Sequence, residues 1–330
     1  RRDAMKIGFC LPAGGVWKAE IDRLEASHPG VTIMRGMDEC LAVFPELDAV
    51  VANPIDAAHF RTADKLKAVF VPFVGLNHLP ADILTERGVS VFNCHGNSGS
   101  VAERALALAL AGFGRIVEYH NDLREGRWHG FWVGKGAEDF WHSIFGYRCA
   151  VLGVGAIGQA LARLLKAFDC HVVGYRRKSG QTPPPYFDEV GTDIRAAVDG
   201  AKIVFITLPL TDETRGLLGK AELDAMKGAW LINVGRGEVV VEDALYQALT
   251  DGTLAGAGLD VWYTYPKAGS TVGAPSRHPI HELPNVILSP HVAGSTHEAV
   301  GLNARQTVDN VALWLDSGDA RHRVDLAANY

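Results

Sequence analysis

The chain has 330 residues, 48% of them hydrophobic and 21% charged, with a formal net charge of −6. That length accommodates two domains of ordinary size, and that balance belongs to a soluble globular protein. A net negative charge gives no electrostatic basis for partnership with nucleic acid or an anionic membrane. The five cysteines (Cys10, Cys40, Cys94, Cys149, Cys170) are scattered without C-x-x-C spacing. A disulfide framework and a metal site are therefore not expected, and a reducing cytoplasm is. No apolar run reaches membrane-spanning length, and residues 1–5 lack the apolar core of a secretory leader.

The first hundred residues alternate short apolar strands with helical stretches. Strands are predicted over 6–11, 31–34, 47–52, 68–72 and 89–92, with helices over 16–26, from 53 to about 66, and over 82–87. Strands alternating with helices imply βαβ units and a mostly parallel sheet. Residues 101–127 read as one long helix, Ala/Leu-rich in its first half. Such all-round apolarity implies burial within a domain or between subunits. Residues 128–147 carry seven aromatics in twenty positions, suited to covering the domain's own core or to anchoring a subunit interface.

A second βα series begins at Arg148. Strands are predicted over 149–152, 171–175, 201–208, 230–234, 256–261 and 286–289. Helices are predicted over 159–168, 193–199, 220–226, 241–249 and 298–315. Residues 181–186 form a turn-rich insert, and 262–284 a long loop with four prolines.

The strand over 149–152 runs into Gly153, Gly155 and Gly158, spaced G-x-G-x-x-G, and an amphipathic helix follows. Gly153 permits a tight turn, Gly155 lets backbone approach a pyrophosphate, and Gly158 lets helix and strand pack closely. Ala156 and Ile157, within that loop, are expected to contact the cofactor, and the positive end of the helix that follows faces the phosphates. About 20 residues on, an NAD site usually places an acidic residue. This chain has Arg176 there, followed by Arg177. Arginines would pair with a 2′-phosphate, so NADP is the preferred cofactor and NAD a possible one. The same residues also suit a solvated basic turn.

Arg236 follows one strand on a glycine-flanked loop, Asp260 ends another, and His291 lies just past a third. In open α/β sheets, ligands bind at the carboxyl ends of strands. An arginine would grip a carboxylate and polarise a carbonyl, and a histidine would donate a proton. Singly, each has a plainer reading as a surface cation or a loop histidine.

In order, G-x-G-x-x-G, Asn233-Val-Gly-Arg-Gly237, Gly258-Leu-Asp-Val261 and Ser289-Pro-His-Val-Ala-Gly-Ser-Thr296 resemble the D-isomer-specific 2-hydroxyacid dehydrogenase family. Val74-Gly-Leu-Asn77 and Ser100-Val-Ala-Glu103 extend the resemblance over nearly the whole chain. It implies an α/β fold of two Rossmann-like or flavodoxin-like parallel-sheet domains with an active-site cleft between them. The substrate-binding domain would be 5–100 plus 295–330, and the dinucleotide-binding domain 101–294. The resemblance also implies a homodimer built on the long helix and aromatic segment. The activity implied is reduction of a small 2-keto acid, glyoxylate- or hydroxypyruvate-like.

Residue by residue, Arg236 matches the substrate arginine and His291 the acid/base histidine. Asp260 matches the aspartate near the nicotinamide. The backbone of Val74, Gly75 and Leu76 matches the loop that holds the substrate carboxylate. Leu208, Pro209 and Val234 are expected beside the cofactor. Phe73, Val74, Leu76, Asn97 and Trp262 are candidates for reading the substrate side chain. Cys94 and His95 read as a buried thiol and a strand-end histidine.

One departure stands out: Tyr265 occupies the place of the family's glutamate, which pairs with the catalytic histidine. A carboxylate there would raise the histidine pKa, and a neutral tyrosine would not. His291 is thus expected to remain the proton donor with a lower pKa than in glutamate-bearing relatives. The superfamily's formate dehydrogenases also lack that glutamate, and Asn97 sits at their substrate asparagine. A nucleotide-sensing binding protein is the other alternative.

Overall fold

The computed structural model describes residues 5–11, 14–52, 54–76, 78–180 and 182–326. Asn77 and Gln181, both within motifs discussed above, lie outside them. The elements in the first part of the chain are β1 (Lys6–Cys10), α1 (Gly15–Ser27), β2 (Thr32–Arg35), α2 (Met37–Ala42), β3 (Ala49–Ala52), α3 (Ala57–Thr62), β4 (Ala68–Phe70), α4 (Ala81–Glu86) and β5 (Ser90–Phe92). Then come α5 (Ser98–Phe113), α6 (Ile116–Arg124), β6 (Arg148–Leu152), α7 (Ala156–Lys166), β7 (His171–Tyr175), β8 (Glu189–Gly191), α8 (Ile194–Val198) and β9 (Ile203–Ile206). The last are α9 (Lys220–Asp224), β10 (Trp230–Asn233), α10 (Glu242–Thr250), β11 (Gly256–Leu259), β12 (Val286–Leu288) and α11 (His297–Ser317). The chain divides into two compact units, residues up to Asn97 with those from Ser295, and Ser98–Gly294.

In the first unit a parallel sheet runs β2-β1-β3-β4-β5. Side chains alternate between faces along each strand. Val50 and Ala52 pack with Phe44, Phe60 and Leu84 on one face. Ile7, Phe9 and Val51 pack on the other with Leu24 of α1 and Val308, Val311 and Trp314 of α11. The chain thus returns at its end to complete this unit's core. Thr296 caps α11 by accepting from the Ala299 N–H at 3.0 Å.

In the second unit a parallel sheet runs β12-β11-β10-β9-β6-β7-β8. Ala150, Leu152, Val204, Ile206 and Leu231 face one core, and Cys149, Val151, Ile203, Phe205 and Ile232 the other. Covered on both faces, such strands read as continuous apolar runs. Each fully buried Val, Ile, Leu or Phe stabilises the fold by ~1.5–3 kcal/mol relative to exposure. Helix α5 packs into the second core with α7. It approaches β10 so closely that a Cβ on Gly112 would lie 2.1 Å from the Trp230 ring.

The single helix expected over 101–127 is instead two. Arg115 adopts a left-handed backbone, φ 53°, between α5 and α6. Its guanidinium donates to the Asp139 carbonyl at 2.7 Å and pairs with Glu118, so the turn is tied on both sides. The aromatic stretch that follows does not cover its own domain: Trp132 is 82% exposed, and Trp128, Phe131, Phe140 and Trp141 are also exposed. His129 holds this arm, with Nδ1 2.8 Å from an Asp139 carboxylate oxygen and Nε2 2.8 Å from one of Asp122. Glu118, Asp122 and His129 present ligand atoms within 4.8 Å of one another. However, Arg115 pairs with Glu118 and Arg127 with Asp122, so the group is an ion-pair network.

Candidate active site

The glycine loop joins β6 to α7. Gly153 has φ 112°, and a Cβ there would lie 2.7 Å from Thr207 Oγ1. A Cβ on Gly158 would lie 2.0 Å from the Gly153 carbonyl oxygen, so strand and helix touch backbone to backbone. Thr207 secures the turn, its hydroxyl donating to that same carbonyl at 2.8 Å. A Cβ on Gly155 would meet nothing within 4 Å. Gly155 is also the N-cap of α7, which has no side-chain cap and no acid in its first turn. Uncapped N–H groups and open space at Gly155 fit a pyrophosphate. Ala156 and Ile157 form the first turn. Leu208 and Val234 point into the two cores, so what they offer a cofactor is backbone. Pro209 is half-buried and its carbonyl accepts from the Thr214 hydroxyl at 2.7 Å.

Arg176 and Arg177 follow β7, beside β6, and Gly153 N–H donates to the Tyr175 carbonyl at 3.0 Å. Both arginines therefore lie at the glycine-loop end of the sheet. The Arg176 guanidinium donates to the Thr182 carbonyl at 3.4 Å, and Arg177 pairs with Glu213.

Arg236 lies three residues beyond β10. Asn233 shapes its loop from a buried position, donating to the Arg236 carbonyl at 3.0 Å and accepting from the Gly235 N–H at 3.0 Å. Gly235 and Gly237 pass so close to neighbouring strand ends that a Cβ on either would lie 2.5 Å from a carbonyl oxygen. The half-buried Arg236 guanidinium donates to the Gly235 carbonyl at 2.7 Å. Burial lowers its pKa, but an arginine remains protonated.

Asp260 is 1% exposed. One carboxylate oxygen accepts from the Val292 N–H at 3.0 Å and from the Ser289 hydroxyl, and the other from the Ala293 N–H at 3.0 Å. Asp260 thus clamps the loop around His291. His291 itself takes a left-handed backbone, φ 58°, rare for a non-glycine residue. Such a conformation persists where its surroundings over-determine it, and the Asp260 clamp supplies that constraint. Burial first, and then nearby Arg236, lower the His291 pKa below its ordinary value.

The Tyr265 ring lies against the His291 imidazole, centroids 5.3 Å apart and planes tilted by 48°. Its hydroxyl accepts from the Trp262 N–H at 3.1 Å. Arg236, Tyr265 and His291 are therefore brought together, with Tyr265 contacting the imidazole through its ring. Trp262, a candidate for reading the substrate side chain, is turned inward. Its indole is buried in the core and donates to the Ser289 carbonyl at 2.9 Å. The roles of Asn233, Thr207 and Ser289 went unread in the sequence; short polar residues at strand ends were the available signal.

In the first unit, Val74 and Gly75 are half-buried and Leu76 points into the core. The Asn93 side chain fixes this loop by donating to the Val74 carbonyl at 3.1 Å. Asn97 Oδ1 is buried with no hydrogen-bond partner among the described residues. Cys94 is a buried thiol donating to Gln306 Oε1 at 3.1 Å. The His95 ring stacks on His322, and burial pulls its pKa down to about 4.

A seven-stranded parallel sheet whose order steps outward from β6 to either side, with a glycine loop at that step, defines a dinucleotide-binding α/β protein. The family model described as D-isomer specific 2-hydroxyacid dehydrogenase, NAD binding domain, matches residues 106–293. The chain is 33% identical over 295 residues to a glyoxylate reductase of Korarchaeum cryptofilum, covering 87% of this chain and 83% of that one. It is 36% identical over 286 residues to a D-3-phosphoglycerate dehydrogenase of Mycobacterium bovis, covering 84% of this chain and 51% of the relative. It thus spans about half the length of the phosphoglycerate dehydrogenases it matches. A solved structure of an NADPH-dependent glyoxylate/hydroxypyruvate reductase from Sinorhizobium meliloti, in complex with NADP and malonate, superposes with a TM-score of 0.75. The two are 25% identical, with 98% of each chain covered. This protein belongs to the D-isomer-specific 2-hydroxyacid dehydrogenase family, NAD(P)-dependent oxidoreductases acting on 2-hydroxy acids.

Proposed function

We propose that this protein reduces a small 2-keto acid of the glyoxylate or hydroxypyruvate kind to its D-2-hydroxy acid, with NADP preferred over NAD. The observation that carries this reading is the grouping of Arg236, Tyr265 and His291 beyond the carboxyl ends of β10, β11 and β12, in the same parallel sheet whose β6 leads into the glycine loop. When bound, the nicotinamide supplies the hydride for the keto carbon. Arg236 holds the substrate's carboxylate and carbonyl oxygens, and protonated His291 delivers the proton to the new hydroxyl. The Val74–Leu76 backbone receives the carboxylate, and the buried Asn97 Oδ1, without a hydrogen-bond partner among the described residues, suits a donor such as the hydroxypyruvate hydroxyl. Gly153 to Gly158 hold the pyrophosphate, and Arg176 and Arg177 face the 2′-phosphate. The first unit serves as the substrate domain and the second as the dinucleotide domain.

The sign of the pH dependence follows from the depressed His291 pKa. Reduction needs the imidazolium, so its rate falls as pH rises through that pKa, below the ordinary histidine value of about 6.5. A carboxylate in Tyr265→Glu raises the pKa and moves this fall to higher pH. An unmoved profile removes Tyr265 from the account. The main test is a panel of glyoxylate, hydroxypyruvate, a bulkier 2-keto acid and 3-phosphohydroxypyruvate, each with NADPH and NADH. Turnover of the small acids that disappears in His291→Ala is the expected result. Formate-dependent reduction of the oxidised dinucleotide, without keto-acid turnover, would overturn it.

The exposed aromatic arm supports a homodimer. Phe131, Trp132, Phe140 and Trp141 line an open hollow beside Tyr119 and His129, suited to a second copy's apolar side chains. Light scattering reads the mass; a monomer at micromolar concentration excludes the dimer. Five free, buried thiols suit a reducing cytoplasm. Among the described residues no helix is long and apolar enough to cross a membrane.

A further inference from the structure

Strands β7 and β9 flank β6 on either side. Arg177 lies two residues beyond β7 and Glu213 seven beyond β9, and an ion pair joins them. Because β6 lies between those strands, the pair spans the end of β6 beside the glycine loop. Tyr175 sits close to both partners. Burial raises its phenol pKa, Glu213 adds to that rise, and Arg177 opposes it. A dinucleotide whose pyrophosphate rests on Gly153–Gly158 carries its adenosine ribose toward the end of β7. On that path the ribose 2′ position would face Arg176 and Arg177, with Glu213 beside it through its ion pair to Arg177.

We propose that Glu213 determines cofactor specificity by competing with the 2′-phosphate for the Arg177 guanidinium. This rests on the reading of Arg176 and Arg177 as the phosphate-facing residues. The Glu213 side chain is 61% exposed and that of Arg177 36%, and an exposed pair of this kind is weak and exchangeable. A 2′-phosphate offers Arg177 a dianionic, multiply accepting partner and wins the exchange. Glu213, repelled, swings into solvent. A bare 2′-hydroxyl leaves the pair intact and donates to the Glu213 carboxylate, in the role an acidic residue plays after the second strand of an NAD site. The acid missing at position 176 is thus supplied from the loop after β9. One site accepts both dinucleotides, and Glu213 tempers its preference for the phosphorylated one.

The test is a double-mutant cycle of Glu213→Gln and Arg177→Ala in the full chain. Dissociation constants for NADPH and NADH, and kcat/KM with each, are the readouts. Glu213→Gln is expected to tighten NADPH, weaken NADH and raise the NADPH:NADH preference roughly fivefold. In the Arg177→Ala background the same substitution leaves NADPH affinity unchanged and only weakens NADH. Arg176→Ala and Arg177→Ala test the underlying reading, and each should lower NADPH affinity selectively. If they do and Glu213→Gln leaves the preference unchanged, the role of Glu213 is overturned while the phosphate reading stands. If neither arginine variant discriminates between the dinucleotides, the phosphate reading fails. Equal tightening of NADPH by Glu213→Gln with and without Arg177 would show a bulk charge effect and overturn the competition.

Discussion

The His291 loop and the aromatic arm are both irregular and both are held by carboxylates, yet those carboxylates meet different partners, neutral donors in the first and basic side chains in the second. Asp260 is buried and spends its oxygens on two backbone N–H groups and a hydroxyl. At the arm, Asp139, 8% exposed, and the more open Asp122 hold His129, with Arg115, Arg127 and Lys135 close by. A buried acceptor matched only to backbone and hydroxyl donors leaves them at the full desolvation cost when it is lost, whereas a comparatively exposed ion pair such as Arg127–Asp122 is replaced by water at little cost. The first arrangement fixes a backbone that would otherwise avoid φ 58°. The second lets a surface arm remain adjustable. Catalytic geometry demands the former, and an assembly surface tolerates the latter.

The largest effect that would sharpen this contrast is on the chemistry itself. His291→Ala should reduce kcat on the order of 10²–10⁴-fold while leaving the thermal midpoint nearly unchanged, since a proton donor is lost and little packing is. Next is Asp260→Asn, which keeps one acceptor oxygen and turns an amide toward a backbone N–H. It should cost ~1–3 kcal/mol in denaturant unfolding and lower kcat as His291 loses its fixed position. A stable variant with full activity would break the clamp account. Gly158→Ala places a methyl 2.0 Å from the Gly153 carbonyl oxygen. It should shift the glycine loop and weaken NADPH and NADH alike, read by fluorescence titration, with less effect on turnover at saturation.

The arm should give the smallest effect, and one that depends on pH. Hydrogen bonds to Asp139 and then Asp122 raise the His129 pKa. A raised folded pKa stabilises fully below the ordinary histidine value of about 6.5, and that stabilisation is lost as pH rises through the raised value. Hydrogen exchange in residues 128–141 should therefore quicken with rising pH beyond the chemical pH effect, and His129→Gln should abolish the excess. The Asp139 carboxyl is held down at about 2, first by the Gly130 N–H and then by His129, so the stability it lends the arm is present above the ordinary aspartate value and is lost progressively as pH falls from there toward about 2.

Much of the fold was legible because strands covered on both faces must be apolar throughout. The runs around Val50, Val151 and Phe205 announced themselves. Strand β8 did not: it is a three-residue edge strand with its ends exposed, and Glu189–Gly191 carries no apolar run. The break at Arg115 was hidden because nothing local forbids a helix there; distant Asp139 holds the turn. Arg236, Asp260 and His291 stood out by their places at or just beyond strand ends, and Tyr265 by standing where the family resemblance expects a glutamate. That Trp262 packs into the core was not legible, because an aromatic beside a site looks the same in sequence whether it faces ligand or core.

What the sequence by itself determined is the order of strands and glycines along the chain, and hence two parallel sheets and a glycine loop with open approach at Gly155. Backbone sterics and hydrophobic period are local properties, and a string of residues carries them. Only the tertiary structure decided which oxygen each polar group would meet. Asp260 turned to the His291 loop, Tyr265 to the Trp262 N–H, and Arg177 to Glu213 across the end of β6. Those partners are 29 to 33, 3 and 36 positions apart in the chain; hydrogen bonds and ion pairs are settled by distances of about 3 Å that sequence separation does not encode.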